Sequence, residues 1–349
     1  MRKATQYNLF LITLLLGVYL SAHSQSRKTG SIKFRAVFYN VENLFDTIDD
    51  PLKDDAEFTP AGRIPWTTDR YLLKLDHLSQ VIAALSDPNP PAIIGLCEVE
   101  NRKVLEELVA SPEILPYQYQ VIHLESPDER GIDNAMLYDP KQFRPIVIKA
   151  IQVDLSTTNG DFTRDILYVK GLAVKSRGDT LHLFINHWPS RSEGREISEP
   201  KRMLAATSLK NATDSLIKNP EKPLIVILGD FNDEPSDKSL SEVLGALAPA
   251  DQKEPGKLYN LAYKPYLEGQ GTLYWKDWDL FDQIIVNGTM FESKKGLICP
   301  DDRQGIFNPD WLMYKDNEGK MRPNRTAAKD YYGGYSDHLP VYIDLEIKK

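Results

Sequence analysis

Short runs of β-branched and aromatic residues recur along the chain, separated by polar stretches and by segments in which apolar residues return every three to four positions. The runs Phe34–Val41, Ala92–Cys97, Tyr119–Leu124, Ala135–Tyr138, Ile146–Val153, Ile166–Val174, Leu181–Asn186, Leu224–Leu228, Phe281–Val286 and Val341–Ile347 predict strands. Leu72, Leu75, Leu78, Ile82 and Leu85 predict a helix over Asp69–Leu85, and Met203, Leu204, Leu209 and Leu216 predict another over Pro200–Ile217. Val104–Val109 and Leu240–Leu247 read as shorter helices. No Pro/Gly/Ser-rich linker separates two halves, so one α/β domain of packed sheets covered by helices is expected. Two stretches, Thr47–Thr68 and Gly288–Gly334, read as long irregular loops, a length common where loops carry function.

The N-terminus adds a second kind of signal. Arg2 and Lys3 precede the apolar run Phe10–Leu20, and Ala22-His23-Ser24 offers small residues for cleavage. This pattern predicts a signal peptide over residues 1–24, a mature domain over 25–349, and a periplasmic or secreted protein. An uncleaved anchor helix is the alternative; the run is short for a bilayer span, so no stable membrane insertion is expected after cleavage. Without Arg2 and Lys3, and with no Asp or Glu before Gln25, the net charge moves from −8 to −10. An acidic surface argues against broad electrostatic gripping of a long duplex, although bound cations or a local Arg cluster can still attract phosphate. Cys97 and Cys299 alone exclude a dense disulfide framework and leave one bridge conceivable.

Polar residues gather where the apolar runs stop. Leu224–Leu228 runs into Gly229-Asp230-Phe231-Asn232; Asn40, Glu42 and Asn43 follow the first strand; Glu98 follows the second; His187 follows Leu183–Asn186. Asp282 lies beside Ile284, and Ser336-Asp337-His338 directly precedes the last strand. Oxygen ligands at one sheet edge suit Mg²⁺, with Mn²⁺ or Ca²⁺ as alternatives. An Asp/Asn turn explains Asp230 and Asn232 equally well when taken alone. Ser336, Asp337 and His338 cannot form one nucleophilic relay, because neighbours in an extended chain point to opposite faces. No His or Cys pair has zinc-ligand spacing.

Asn40-Val41-Glu42-Asn43, Glu98, Asn186-His187-Trp188, Gly229-Asp230-Phe231-Asn232 and Ser336-Asp337-His338-Leu339-Pro340 resemble, in order, the signatures of the endonuclease/exonuclease/phosphatase superfamily, which includes deoxyribonuclease I, AP endonucleases, sphingomyelinases and inositol polyphosphate 5-phosphatases. The resemblance spans Phe34–Leu345 and implies a four-layer αββα sandwich with two mixed sheets. It implies a metal-dependent hydrolase, with Glu98, Asn40, Asp337 and Asp230 near the metal. Asp230 and Asn232 would orient the attacking water, and His338, held by Asp282, would stabilise the transition state. His187 resembles the second histidine of the deoxyribonuclease I branch, and Arg164 its phosphate-clamping arginine.

Each assignment has a plainer rival. Glu98 could cap the helix entered at Asn101, His187 could be a satisfied core histidine, and Arg164 could pair with Asp161 or Asp165. Trp275 and Trp278 could stack on a sugar or base, or anchor the core. Glu129 and Asp133 are both candidates for the acid behind His187, while His77, His123 and His182 fall in periodic segments and read as structural. The expected activity is phosphodiester hydrolysis, foremost endonucleolytic cleavage of nucleic acid. A phospholipid head group, inositol phosphate or other small phosphoester is the alternative substrate, and a noncatalytic binding protein of the same fold is the rival of another class. No obligate protein partner is evident.

Overall fold

A computed structural model describes residues 32–348 except 87, 159–161, 177, 219–221 and 293–295. The expected signal peptide and its cleavage point lie outside the described residues. Lys33–Lys349 cluster as one compact unit. No described helix is long and apolar enough to cross a membrane.

The major strands are β1 Ile32–Leu44, β2 Ile93–Val99, β3 Gln120–His123, β4 Asp133–Tyr138, β5 Phe143–Ile151, β6 Ile166–Ala173, β7 Thr180–His187, β8 Leu224–Asp230, β9 Asp282–Asn287 and β10 Val341–Lys348. One sheet runs Gly296–Ile298, β10, β1, β2, β4, β3, with Gly305–Ile306 also on β10. The other runs β5, β6, β7, β8, β9, Leu258–Asn260, Ala246–Leu247. Both are mixed: β1 and β2 are parallel, as are β7 and β8, and most remaining pairs are antiparallel.

Alternation along β1 explains the layers. Val37, Tyr39 and Val41 join a core with Leu75, Leu78 and Ile82 of helix α1 (Thr68–Leu85) and Val104, Leu105 and Leu108 of α2 (Arg102–Val109). Ala205, Ala206 and Leu209 of α3 (Arg195–Ile217) cover Phe184, Ile225 and Ile227 on the other sheet. Between the sheets, Gly95 of β2 lets the sheets approach closely: a Cβ there would come within 2.9 Å of Ile185 Cδ1 on β7, and that side chain would have to shift. The result is the expected αββα sandwich.

Three expectations need correction. Helix α3 begins at Arg195, five residues before the expected start, and takes Pro200 inside its second turn, where the ring forgoes the i→i−4 bond that an N–H would make to the Glu196 carbonyl. Ser239–Leu244 forms a π-helical turn closed by Gly245 at φ 74°, and Ala246–Leu247 is a strand, so the expected helix over Leu240–Leu247 does not form. Gly288–Gly334 contains the short helix Thr289–Glu292 and the hairpin Met313–Lys315/Met321–Pro323, elements too short to leave a periodic signal. Cys97 and Cys299 are both buried free thiols.

Candidate active site

Parallel pairing of Asn40 with Cys97 makes β1 and β2 end at the same edge, so Asn40 and Glu98 emerge side by side. A bulge follows, with Glu42 at φ 50°, Asn43 at φ 56° and Glu98 at φ 61°. Such left-handed conformations cost L-residues energy and persist where surrounding bonds over-determine them. Those bonds are present: Asn40 Oδ1 accepts from Glu42 N–H at 2.9 Å, and the Asn43 N–H donates to Glu98 Oε2 at 3.0 Å. Asn40 Nδ2 donates to Glu98 Oε1 at 3.2 Å and to Asp230 Oδ2 at 3.0 Å, tying the two sheets together.

The second sheet delivers three residues in one row. His187 on β7 is in register with Asp230 on β8, and Asp230 with Asp282 on β9. His338, just before β10, approaches them with Nδ1 2.7 Å from Asp282 Oδ2 and Nε2 3.8 Å from Asp230 Oδ2. Its Nε2 is also 3.9 Å from Asp337 Oδ1. Burial disfavours the imidazolium, yet Asp282, Asp230 and Asp337 outweigh it and hold His338 well above the usual histidine range. His187 goes the other way: burial, with Arg164, Arg130 and His338 adding positive charge, pushes it well below that range. Its Nε2 stands 3.8 Å from both Glu98 Oε1 and Asp230 Oδ2. One charged and one neutral imidazole therefore face the same carboxylates.

Asn232, at φ 50°, donates its N–H to Asp230 Oδ1 at 3.0 Å and its side-chain amide to Trp188 O at 3.0 Å. Arg164 is buried rather than on the surface. It meets Asp128 Oδ2 at 3.1 Å and donates to Trp188 O at 2.7 Å, so it pairs with Asp128 and not with Asp165; Asp161 lies outside the described residues. Neither Glu129 nor Asp133 backs His187, whose buried Nδ1 has no partner among the described residues. Asp133 is taken by His123, 3.0 Å from Nε2. His77 binds Gly334 O and stacks on Tyr335, and His182 meets the Tyr168 hydroxyl.

The donor set suits a hard cation. Asp230 and Asp282 bring carboxylate oxygens within 4.8 Å of each other, with the imidazolium of His338 beside them as a counter-charge, and the buried Asp282 Oδ1 has no partner among the described residues. Burial pushes Asp230 up to about 6, with His338 opposing and Asp282 adding to the rise, the mark of crowded acids short of positive charge. Glu98, Asp230 and Asp337 offer oxygens to such an ion. Asn40 lies beside them, its amide nitrogen on Glu98 and Asp230 and its oxygen accepting from the Glu42 N–H.

Arg325 and Lys74 escaped the sequence reading, as did the partners of Glu42. Arg325 bridges Glu42 Oε1 and Asp337 Oδ2, each at 3.0 Å from Nη2. Glu42 accepts the Thr326 N–H at 2.6 Å, and buried Lys74 donates to Thr326 Oγ1 and Tyr335 O. Burial and Asp337 push Glu42 up to about 7, and burial lowers Lys74 to about 8. Arg325 lies 283 residues from Glu42 within a stretch lacking periodicity, so no local signal announces it. Trp275 is 70% exposed and lines one groove with Arg325 and Asp337, whereas Trp278 packs edge-on against Tyr274. Of six non-glycine residues with positive φ among the described residues, Glu42, Asn43, Glu98 and Asn232 belong here.

The Endonuclease/Exonuclease/phosphatase family model matches residues 35–347. No curated protein sequence matches the chain significantly. Similar solved structures include an endonuclease/exonuclease/phosphatase family protein from Bacteroides thetaiotaomicron (TM-score 0.55, 15% identity, covering 92% of this chain and 100% of that one). The human Nocturnin catalytic domain with bound sulfate gives 0.52 at 16% identity, covering 90% and 95%. D. rerio TDP2 complexed with single strand DNA product gives 0.54 at 15% identity, covering 90% and 98%. At such identities the likeness is one of fold.

Proposed function

The chain belongs to the endonuclease/exonuclease/phosphatase family and is a hydrolase of phosphoester bonds, and on that premise we propose a divalent-metal-dependent phosphodiesterase that cleaves nucleic acid outside the cytoplasm. The observation that carries the reading is the row His187, Asp230, Asp282 with His338 closing on it. A phosphodiester is anionic, so attack by water needs charge neutralisation and help for the departing oxygen. Glu98, Asp230 and Asp337 would hold Mg²⁺, which when bound neutralises phosphate charge. Asp230 takes a proton from the attacking water, which Asn232 helps to place. His338, kept protonated and oriented by Asp282, donates to a nonbridging or leaving oxygen. Neutral His187 donates through Nε2, and buried Arg164 supports its segment through Trp188 O.

Nucleic acid as substrate is supported by the fold likeness to TDP2, whose structure holds a single strand DNA product, and by Trp275, exposed in the groove it lines with Arg325 and Asp337. Export is supported by the charged and apolar pattern of residues 1–24. The test is cleavage of circular DNA, single-stranded and supercoiled, with Mg²⁺ or EDTA, alongside His338→Ala. Cutting that requires both metal and His338 supports the nuclease. Absence of cutting, with Mg²⁺ binding intact, redirects the search to phospholipids and small phosphoesters.

A further inference from the structure

Beside Asp337 a groove of about 710 Å³ opens between the hairpin Leu273–Tyr274/Trp278–Asp279 and the hairpin Met313–Lys315/Met321–Pro323. Its volume is that of a ligand cleft, roughly 300–1,000 Å³. Arg325 and Asp337 form its inner end, next to His338. We infer that this groove holds the unpaired bases of a single-stranded polynucleotide next to the bond that is cut, an inference that rests on the phosphodiesterase reading.

Three rings there face solvent: Trp275 is 70% exposed, Tyr332 58% and Tyr314 40%. Exposed aromatic rings gathered in one place mark an interaction site, not a packing need. Cations lie among them. Arg322 is fixed by Asp316 and lies 4.7 Å over the Tyr274 ring, while Lys276 and Lys329 have no acidic partner among the described residues. In a chain of net charge −8, free positive charge beside exposed rings selects a ligand carrying both anions and π-faces. Paired bases hide their faces in the duplex stack and offer only edges and phosphates, so the rings favour an unpaired strand. Lipid head groups and inositol phosphates supply anions without π-faces.

Binding separates these ligands without catalysis. The full protein in EDTA is titrated with fluorescein-labelled twelve-residue strands: oligo(dT), the same strand annealed to its complement, and an abasic strand of equal charge. Oligo(dT) is expected to bind at least tenfold tighter than the other two. Trp275→Ala combined with Tyr332→Ala is expected to lose about tenfold or more for oligo(dT) alone, the loss of stacked bases, and Trp275→Phe to restore most of it. Both positions are exposed, so melting temperatures should match the wild type. Equal binding of the abasic strand or the duplex, or no loss in the double variant, overturns the groove assignment. Hydrolysis of bis(4-nitrophenyl) phosphate by the wild type with Mg²⁺ tests the phosphodiesterase reading separately. Its absence alongside base-dependent binding would sink that reading and leave the groove standing.

Discussion

Asp230 and Asp282 stand directly opposite each other across β8 and β9, and the imidazole of His338 sits between their carboxylates. Like charges in opposed positions destabilise a sheet, so the pair is tolerable because His338 is charged. The pairing that stabilises the imidazolium also aims Nε2 at the reaction space.

Asp282→Asn therefore keeps the shape and removes the charge that holds the imidazole protonated. The kcat for a phosphodiester is expected to fall about 10²–10⁴-fold, the usual span of acid–base assistance, with KM changed far less. Steady-state kinetics with parallel thermal melting measures this; wild-type kcat in a folded Asp282→Asn protein would remove His338 from the chemistry.

Glu98 gives the metal prediction. Mg²⁺ at 100 times its Kd should raise stability by about 2.7 kcal/mol if it binds only the folded chain, and EDTA should reverse the gain. Glu98→Gln should abolish most of the thermal shift while leaving the metal-free melting temperature equal or higher, since one of the crowded acids is neutralised. An undiminished shift in this variant would place the ion elsewhere.

The pH response isolates a residue far from the chemistry. His182 lies five residues before His187 on β7, and burial, with Lys170, pushes it down to about 4. An unfolded histidine titrates near 6.5. Between these values the unfolded chain binds the additional proton, so stability declines as pH falls from about 6.5 to about 4, by at most ~1.4 kcal/mol per pH unit. His182→Gln keeps a partner for the Tyr168 hydroxyl without titrating. Urea unfolding at pH 7 and pH 4.5 should show a smaller acid loss in the variant; equal losses would assign the acid sensitivity to other groups.

Asp233 tests how the loop after Asp230 is held. It accepts from Arg191 at 2.8 Å and Ser239 at 2.6 Å, and the fully buried Arg202 lies 2.7 Å away. Asp233→Ala leaves a buried guanidinium without its acid and should cost about 3–5 kcal/mol in denaturant unfolding. A loss below ~1 kcal/mol would mean that Arg202 finds water or another acceptor.

How much of this could be read from the sequence follows from distance along the chain. Glu98, His187, Asp230 and His338 were legible because each adjoins an apolar run, and parallel pairing of β1 with β2 and of β7 with β8 brings the ends of those runs to one edge. Asp282 was legible beside its own strand. Arg325, Lys74 and the inward turn of Glu42 were not, because their contacts cross more than 250 residues and leave no periodic trace. The π-helical turn at Ser239–Leu244 and the two-residue strands failed for a different reason: their spacing matches a short helix or a loop. Of the two acids weighed behind His187, Asp133 goes to His123, a competition between histidines that spacing cannot rank.

The place of β10 in its sheet makes completion of the centre a long-range event in folding. It lies against β1, and Arg35 on β1 binds Asp344 on β10 across 309 residues. Closing so long a loop costs entropy before any contact repays it, which slows the search for the native topology. Asp337 and His338 arrive with that closure, so the assembled centre cannot precede it. Refolding is expected to recover secondary structure early and turnover last, with the rate of activity regain reporting on this single strand insertion.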